Sequence, residues 1–410
     1  MKIQRTIPPA AAPIDLASVL SGFAGLFRDR HQKRRLEDEL RKYFKVRHVF
    51  LVSSGTAALT LILRALHAIA PEKKQVVIPA YTCFSVPAAI VRAGLEVSLC
   101  DVERGAFDFD HRLLPEAIGP GTLCVLSSHL FGIPADVERT RRLCAEKKLF
   151  LVEDAAQAMG AAYQGRLLGT IGDAGFYSLG RGKNITCGSG GIIVTNDDAI
   201  AAKIEQRYSV LDSPRLKETI AELLKAALLT AFIRPSLYWL PAGLPFLRLG
   251  ETTFDPGFPI KKFSGMKAGL LRDWQKRLAE SNRIRRTNAD YLCKIAGLNG
   301  KIENAVPLLR LPLLVKNRRL RDDMLMHSKK NGMGMTGMYP TAINGIEEIK
   351  DRFHGKEFPE ARETAECLVT IPTHPLLSAQ DRERLGGYLK NHPPLMTGQP
   401  LPAESLHSHA

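Results

Sequence analysis

The 410-residue chain reads as an α/β protein with a mainly parallel seven-stranded sheet and a second, smaller unit, and three observations carry that reading. Between residues 48 and 196, seven short β-rich runs alternate with helical stretches. Several of the runs are apolar almost throughout, the pattern of strands covered on both faces. The segments between them are amphipathic and long enough for the crossovers that join parallel neighbours.

Taken in order, the chain opens with "MKIQRTIPPAAAPIDLASVLSGFAGLF", which begins with Lys2 and Arg5. Three prolines and Asp15 interrupt the apolar run that a signal peptide needs, so residues 1–35 read as a leading arm and helix. The large α/β domain is expected over residues 36–255. Its strands are "HVFLVSS", "QVVIPA", "EVSLCDV", "TLCVLSSHL", "LFLVEDAA", "AGFYSL" and "GGIIVTN", with helical stretches such as "GTAALTLILRALHAI" and "ADVERTRRLCAEKK" between them. Residues 217–250 change character, being apolar and proline-punctuated and carrying Tyr238 and Trp239. The uncharged run there is shorter than the ~20 residues that span a bilayer. It reads as a packed insertion or a dimer contact ahead of a membrane-surface patch. From residue 256 come the helical "MKAGLLRDWQKRLAESNRIRRTNADYLCKIAG", short strands such as "AVPLLRLPLLV" and a last helix near 378–390, the expected α+β domain of residues 256–390. The tail, 391–410, is rich in Pro, Ser and His and is expected to be disordered.

Lys and Arg number 57 against 42 acids, a formal net charge of +15. Such an excess favours anionic partners without choosing among phosphorylated small molecules, nucleic acid and acidic membranes. The basic stretches "RDRHQKRRLEDELRKYFKVRH" and "KNRRLRDD" mix cations with acids at helical spacing and read as solvated helix faces. With no zinc finger, aromatic RNA-binding run or basic arm, nucleic acid is set aside as a partner. The seven cysteines are scattered and never spaced as CxxC, which argues against a disulfide framework or a zinc site and for a reducing compartment, the cytoplasm by default.

The chemistry gathers around "FYSLGRGKNITCGSGG", residues 176–191, where Lys183 sits among glycines. A Walker A loop would follow its lysine with Ser or Thr, but Asn184 follows here. A dinucleotide fingerprint would lead into a helix, whereas "GSGG" leads into a strand. A third reading makes Lys183 a Schiff-base amine, activated by burial among small neutral residues. A solvated lysine in a flexible turn is the bland alternative. Upstream, "LVEDAAQAMGA" ends a strand with Asp154, a candidate for the carboxylate that a pyridoxal phosphate ring nitrogen requires, or simply a helix cap. Gln157 could donate to the ring hydroxyl or sit as a helix-surface amide. "VSSGTAAL" runs from strand through Ser-Gly-Thr into a helix, a phosphate cradle or an ordinary cap. Ser178 lies five residues before Lys183 and could serve the same phosphate.

In this order and wording the motifs resemble the DegT/DnrJ/EryC1/StrS family of pyridoxal-phosphate sugar aminotransferases. The residues that carry the resemblance are "VSSGTAALTL", "VVIPAYTC", "AGLEVSLCDV", "SSHLFGIPADVE", "LVEDAAQAMGAAYQGRLLGTIGDAGFYSL", Lys183 followed by "GSGGIIVTND", and more faintly "AESNRIRRTNADYL" and "IPTHPLLS". The resemblance implies the PLP-dependent transferase fold type I, that of aspartate aminotransferase. It implies that Lys183 forms the Schiff base with the cofactor, that Asp154 holds the ring nitrogen and Gln157 the ring oxygen, and that Gly55, Thr56, Ala57 and Ser178 bind the phosphate. The lysine favours transamination over the family's dehydratase branch, which has histidine there. A homodimer is implied as well, because the family builds its sites at the subunit interface.

The chain departs from the family pattern at several points. Ser189 of "GSGG" stands where the family has glutamate, and Cys83 where many members have an aromatic residue on the cofactor ring, so Tyr81 or Phe84 becomes the candidate. "PIKKFSGM" lacks the asparagine that many members lend to the neighbouring subunit's phosphate, which leaves Lys261 or Lys262 for that role or a solvated basic pair. The expected function is an aminotransferase that passes an amino group, most often from glutamate, through PLP and PMP to a keto sugar carried on a nucleotide diphosphate, with no metal. The alternatives are a same-fold PLP enzyme acting on another ketone or dehydrating one, and a non-catalytic or regulatory homologue. Arg181, Tyr339 and His374 are the substrate-side candidates, each with an ordinary loop role as the alternative.

Overall fold

The structure, a computed structural model, describes residues 5–244, 252–297 and 306–392. The expected disordered tail lies outside the described residues from 393 onward. All seven apolar runs form strands: β1 (His48–Val52), β2 (Gln75–Pro79), β3 (Glu96–Cys100), β4 (Thr122–Ser128), β5 (Phe150–Asp154), β8 (Ala174–Ser178) and β9 (Gly191–Thr195). A two-residue ladder, β6 (Ala162–Tyr163) with β7 (Arg166–Leu167), interrupts the series.

The sheet order is β1-β9-β8-β5-β4-β2-β3. The pairs β2–β3, β2–β4, β4–β5 and β5–β8 are parallel, while β9 runs antiparallel to both β8 and β1. The antiparallel pair β8–β9 follows from its short connection, which leaves no room for a crossover helix. Lys183 rides on that connection.

Alternate strand residues feed two apolar layers, as a two-residue period requires. Val76, Ile78, Val152 and Ile193 pack with the helix Gly55–Ile69 on one face. Val77, Leu151 and Ile192 pack on the other with Leu36, Leu40 and Phe44 of the helix Asp29–Phe44.

The second unit pairs β10 (Arg310–Leu314) antiparallel with β11 (Leu368–Pro372), covered by the helices Trp274–Ile295, Arg318–Asn331 and Ala379–Asn391 around a third apolar cluster. The helical stretch expected from residue 266 is two helices, Gly265–Leu270 and Trp274–Ile295, broken at Asp273, whose φ is 52°. The first of them is pressed against the helix Leu16–Gly25: a Cβ on Gly269 would stand 2.3 Å from the Ser21 carbonyl oxygen. The backbones meet there, so the short helix, capped by Ser264, is also fixed by contact.

The arm ahead of Leu16 ties the two units together. The Thr6 amide donates to Pro235 and the Ile7 amide to Gly332, Ile7 is buried, and Arg5 pairs with Asp381 at 2.5 Å. The insertion forms the helix Leu216–Phe232, which buries only Thr219, Leu223 and Ala226. Its packing is therefore one-sided, and Leu216, Ile220, Leu224 and Leu228 stay exposed.

Candidate active site

Asp154 ends β5 at the carboxyl edge of the sheet, where parallel α/β sheets bind their ligands. It is buried, and one carboxylate oxygen accepts from the Ala156 amide at 2.9 Å. Burial pushes its pKa up, against the pull of the Ala156 N–H and of the nearby Lys183 ammonium. A buried carboxylate held this way favours a cationic partner.

The preceding residue faces the other way, in a role that no local motif marks. Glu153 is fully buried and accepts from the amides of Gly169 (2.8 Å), Ile171 (2.5 Å) and Gly172 (2.6 Å) and from His129 Nε2 (3.0 Å). His129 Nδ1 accepts from the Ala135 amide at 3.1 Å, which places the proton on Nε2, and the His129 amide donates to the Asp154 carbonyl. Burial raises the Glu153 pKa, but the His129 bond and the amides outweigh it, so the carboxyl stays below its ordinary range. The motif "LVEDAA" thus splits its acids into a loop anchor and a ligand-facing group.

The candidate phosphate cradle assembles across the sheet. Ser54 caps the helix Gly55–Ile69, its hydroxyl accepting the Ala57 amide at 3.0 Å. That bond occupies the Ala57 N–H and leaves Gly55 and Thr56 at the positive helix end as the available donors. A Cβ on Gly55 would lie 3.0 Å from Ser178 Cβ and 3.3 Å from its hydroxyl oxygen. Glycine is what lets the helix end sit over that hydroxyl, so the "SSGT" and "FYSL" motifs meet although 123 residues separate Gly55 from Ser178. The Ser178 hydroxyl also accepts the Gly180 amide at 3.3 Å.

Lys183 is half-buried, with its carbonyl facing Arg285 Nη2 at 3.4 Å and Ala10 of the arm packed against Gly182. Next to it, Asn184 is buried between Asn282 and Ser281 of the helix Trp274–Ile295. The backbone carrying the lysine is thus clamped by two distant segments, the arm and the helix Trp274–Ile295.

Gln157 is fully engaged within the protein: its oxygen accepts the Phe131 amide at 3.1 Å and its amide donates to the Tyr339 hydroxyl at 2.9 Å. Tyr339 is buried, with its ring 5.6 Å from that of Tyr81 and 6.4 Å from that of Phe84, and burial raises its pKa well above the ordinary value. Of the substrate-side candidates only Tyr339 joins this cluster. Arg181 is exposed on the lysine loop. His374 is fully buried, donating from Nε2 to the Pro8 carbonyl at 2.8 Å, and burial and the nearby guanidinium groups lower its pKa to about 3. It is a structural histidine that fastens the arm.

The departures also find their places. Ser189 Oγ stands 3.5 Å from a carboxylate oxygen of Glu222, which pairs with the buried Lys267 at 2.9 Å, so the insertion helix brings a glutamate to the loop that lacks the family's own. Lys261 pairs with Glu218 at 2.8 Å, and Lys262 donates to the Ser209 carbonyl at 2.9 Å.

A sheet-edge aspartate, a lysine on the β8–β9 connection and a glycine-serine cradle at a helix end define an α/β protein of the PLP-transferase architecture. The chain belongs to the DegT/DnrJ/EryC1/StrS aminotransferase family, whose model matches residues 23–390. It is similar to a GDP-perosamine synthase of Vibrio cholerae, 34% identical over 169 residues, which are 41% of this chain and 46% of the relative. It is also 33% identical over 171 residues to a protein of Geobacillus stearothermophilus named a pleiotropic regulatory protein, covering 42% of this chain and 45% of the relative. The aligned stretches therefore span a little under half of these curated relatives. Among solved structures, Helicobacter pylori PseC, an aminotransferase involved in the biosynthesis of pseudoaminic acid, superposes with a TM-score of 0.75 over 96% of this chain and 99% of that one, at 15% identity. That likeness establishes the fold.

Proposed function

We propose that the chain is a PLP-dependent aminotransferase that takes an amino group from an amino acid, glutamate by preference, and passes it to a keto sugar carried on a nucleotide diphosphate. The observation that carries the reading is the convergence of Asp154, Lys183 and the Gly55–Ser178 contact at one sheet edge. The fit to the cofactor is direct: a glycine that a Cβ would force off Ser178, free helix-end donors for a phosphate, and a buried carboxylate whose raised pKa a cationic ring nitrogen would offset.

When bound, pyridoxal phosphate supplies a carbonyl that takes up the amino group and a ring that acts as an electron sink. The residues of this chain supply the rest. Asp154 holds the proton on the ring nitrogen. The Gly55 and Thr56 amides and the Ser178 hydroxyl hold the phosphate. Lys183 Nζ would hold the carbonyl end of the cofactor and move protons at the substrate carbon beside it. Gln157 and Tyr339 form one hydrogen-bonded unit beside Asp154 and shape the pocket wall. The positive charge of the chain suits an anionic nucleotide sugar, and the family's homodimer is carried with the reading.

The test is the visible spectrum of purified protein with added PLP, followed by titration with L-glutamate. A cofactor band that converts on glutamate, and that Lys183→Ala removes together with turnover, supports the assignment. Normal turnover in Lys183→Ala would sink it. The regulatory reading, which the name of the Geobacillus relative favours, requires binding or folding without any response to amino donors.

A further inference from the structure

The helices Leu16–Gly25 and Leu216–Phe232 present apolar stripes to the outside. Leu16 (70% exposed), Leu20 (62%), Phe23 (56%) and Phe27 (77%) lie at or just beyond the first, and Leu216 (65%), Ile220, Leu224 (60%) and Leu228 (58%) along the second. Both sets recur at one-turn spacing, the mark of a single helix face. The helices touch, with Leu223 of the second packed on Gly22 of the first, so the two stripes are neighbours. Eight large apolar side chains on one part of a surface are more than scattered exposure explains.

The charges around this face are one-sided in effect. Three of its acids sit in ion pairs, Asp29 with Lys33, Glu218 with Lys261 and Glu222 with Lys267, and Asp15 caps the first helix by accepting the Ser18 amide. Arg28, Arg30, Lys217, Lys225 and Arg234 are exposed and, among the described residues, have no carboxylate within ion-pair distance. An apolar face flanked by unpaired cations matches an anionic bilayer surface, where leucine and phenylalanine enter the headgroup boundary and the cations meet lipid phosphates. A second copy of the chain fits less well, because a twofold contact sets the same uncompensated cations against each other. Among the described residues no helix is long and apolar enough to cross a membrane, so the contact is in the plane of the surface.

We propose that this helix pair docks the protein on an anionic membrane surface, which reverses the preference of the sequence reading for a packed insertion or dimer contact.

The experiment is co-sedimentation of the full chain with vesicles of phosphatidylcholine alone and of phosphatidylcholine with phosphatidylglycerol. Binding to the anionic vesicles should exceed that to the neutral ones by roughly tenfold or more and weaken with added salt. Leu224→Ser/Leu228→Ser should bring binding to background and Lys217→Glu/Lys225→Glu should weaken it roughly tenfold. All four residues are exposed, so circular dichroism and unfolding midpoints should match wild type. No binding to anionic vesicles, or binding untouched by both variants, overturns the proposal. So does a wild type that ignores vesicles but falls from a larger to a smaller species in sedimentation velocity on Leu224→Ser/Leu228→Ser, which would make the face a contact between copies.

Discussion

Glu153→Gln tests the division of labour between the two acids of "LVED". In the wild type each Glu153 oxygen accepts two donors: Oε1 takes the Ile171 and Gly172 amides, Oε2 the Gly169 amide and His129 Nε2. Glutamine must turn an NH2 toward one of these pairs, leaving two buried donors without an acceptor. His129 cannot relieve this by moving its proton, because Nδ1 already accepts from Ala135. At about 1–3 kcal/mol for each unsatisfied buried group, the loss is about 2–6 kcal/mol. Urea unfolding followed by circular dichroism reads it directly. A change under about 1 kcal/mol would refute the account, since that is the size of a single ordinary hydrogen bond. The pH dependence gives a second reading. The folded-state pKa of Glu153 is depressed, so its stabilisation is present above the ordinary value of 4.5 and fades as pH falls through the folded value. The variant should lack that acid-sensitive part.

His374→Gln should flatten the acid side of the stability profile. The imidazole is lowered from 6.5 to about 3, so the folded state resists its protonation and loses stability as pH falls below 6.5, by up to about 2–3 kcal/mol near pH 4.5, while glutamine still donates to Pro8. Asp154→Asn removes a buried carboxylate whose pKa burial has raised; the cofactor-free protein should melt higher at neutral pH than wild type, while turnover falls sharply. Glu222→Ala leaves the buried Lys267 amine without its carboxylate and should cost about 1–2 kcal/mol in thermal unfolding, the figure being held down because Glu222 is a third exposed. Adding Ser189→Glu to that variant should restore most of the loss, and no recovery would mean the two positions are not interchangeable.

The sheet was legible because its strands are apolar on both faces, a pattern that leaves few other structures open to runs such as "TLCVLSS". Asp154, Lys183 and the Gly55–Ser178 pair could be singled out as candidates for a related reason, since each stands at or just beyond the end of a strand. What stayed hidden depends on contacts between segments far apart in the chain. Nothing local distinguishes Glu153 from Asp154 except the pleat, which sends one to the loop 169–172 and the other to the sheet edge. The Gln157–Tyr339 bond joins positions 182 residues apart, and Glu222 reaches Ser189 from the helix Leu216–Phe232, 33 residues further on. His374 could be read as a substrate-side residue or a loop histidine, and its burial against the arm, with Nε2 on the Pro8 carbonyl, depends on a contact 366 residues away.

The arm also changes the meaning of the positive charge. Arg285 and Arg310 are buried with no carboxylate beside them among the described residues, and burial lowers both to about 9. Arg285 donates to the carbonyls of Leu309 and Ala11 at 2.8 Å, and Arg310 to those of Pro9, Gly334 and Thr370. Two of the excess cations are therefore spent on backbone oxygens at the joint of the two units, and the surface holds less charge than the composition suggests. The same contacts run on to the chemistry: Arg285 reaches the Lys183 carbonyl, and Ala10 packs on Gly182. A loop of glycines cannot hold a lysine still by itself. Here the arm and a buried guanidinium hold its backbone, so the residues that place Lys183 lie about 170 and 100 positions away from it in the sequence.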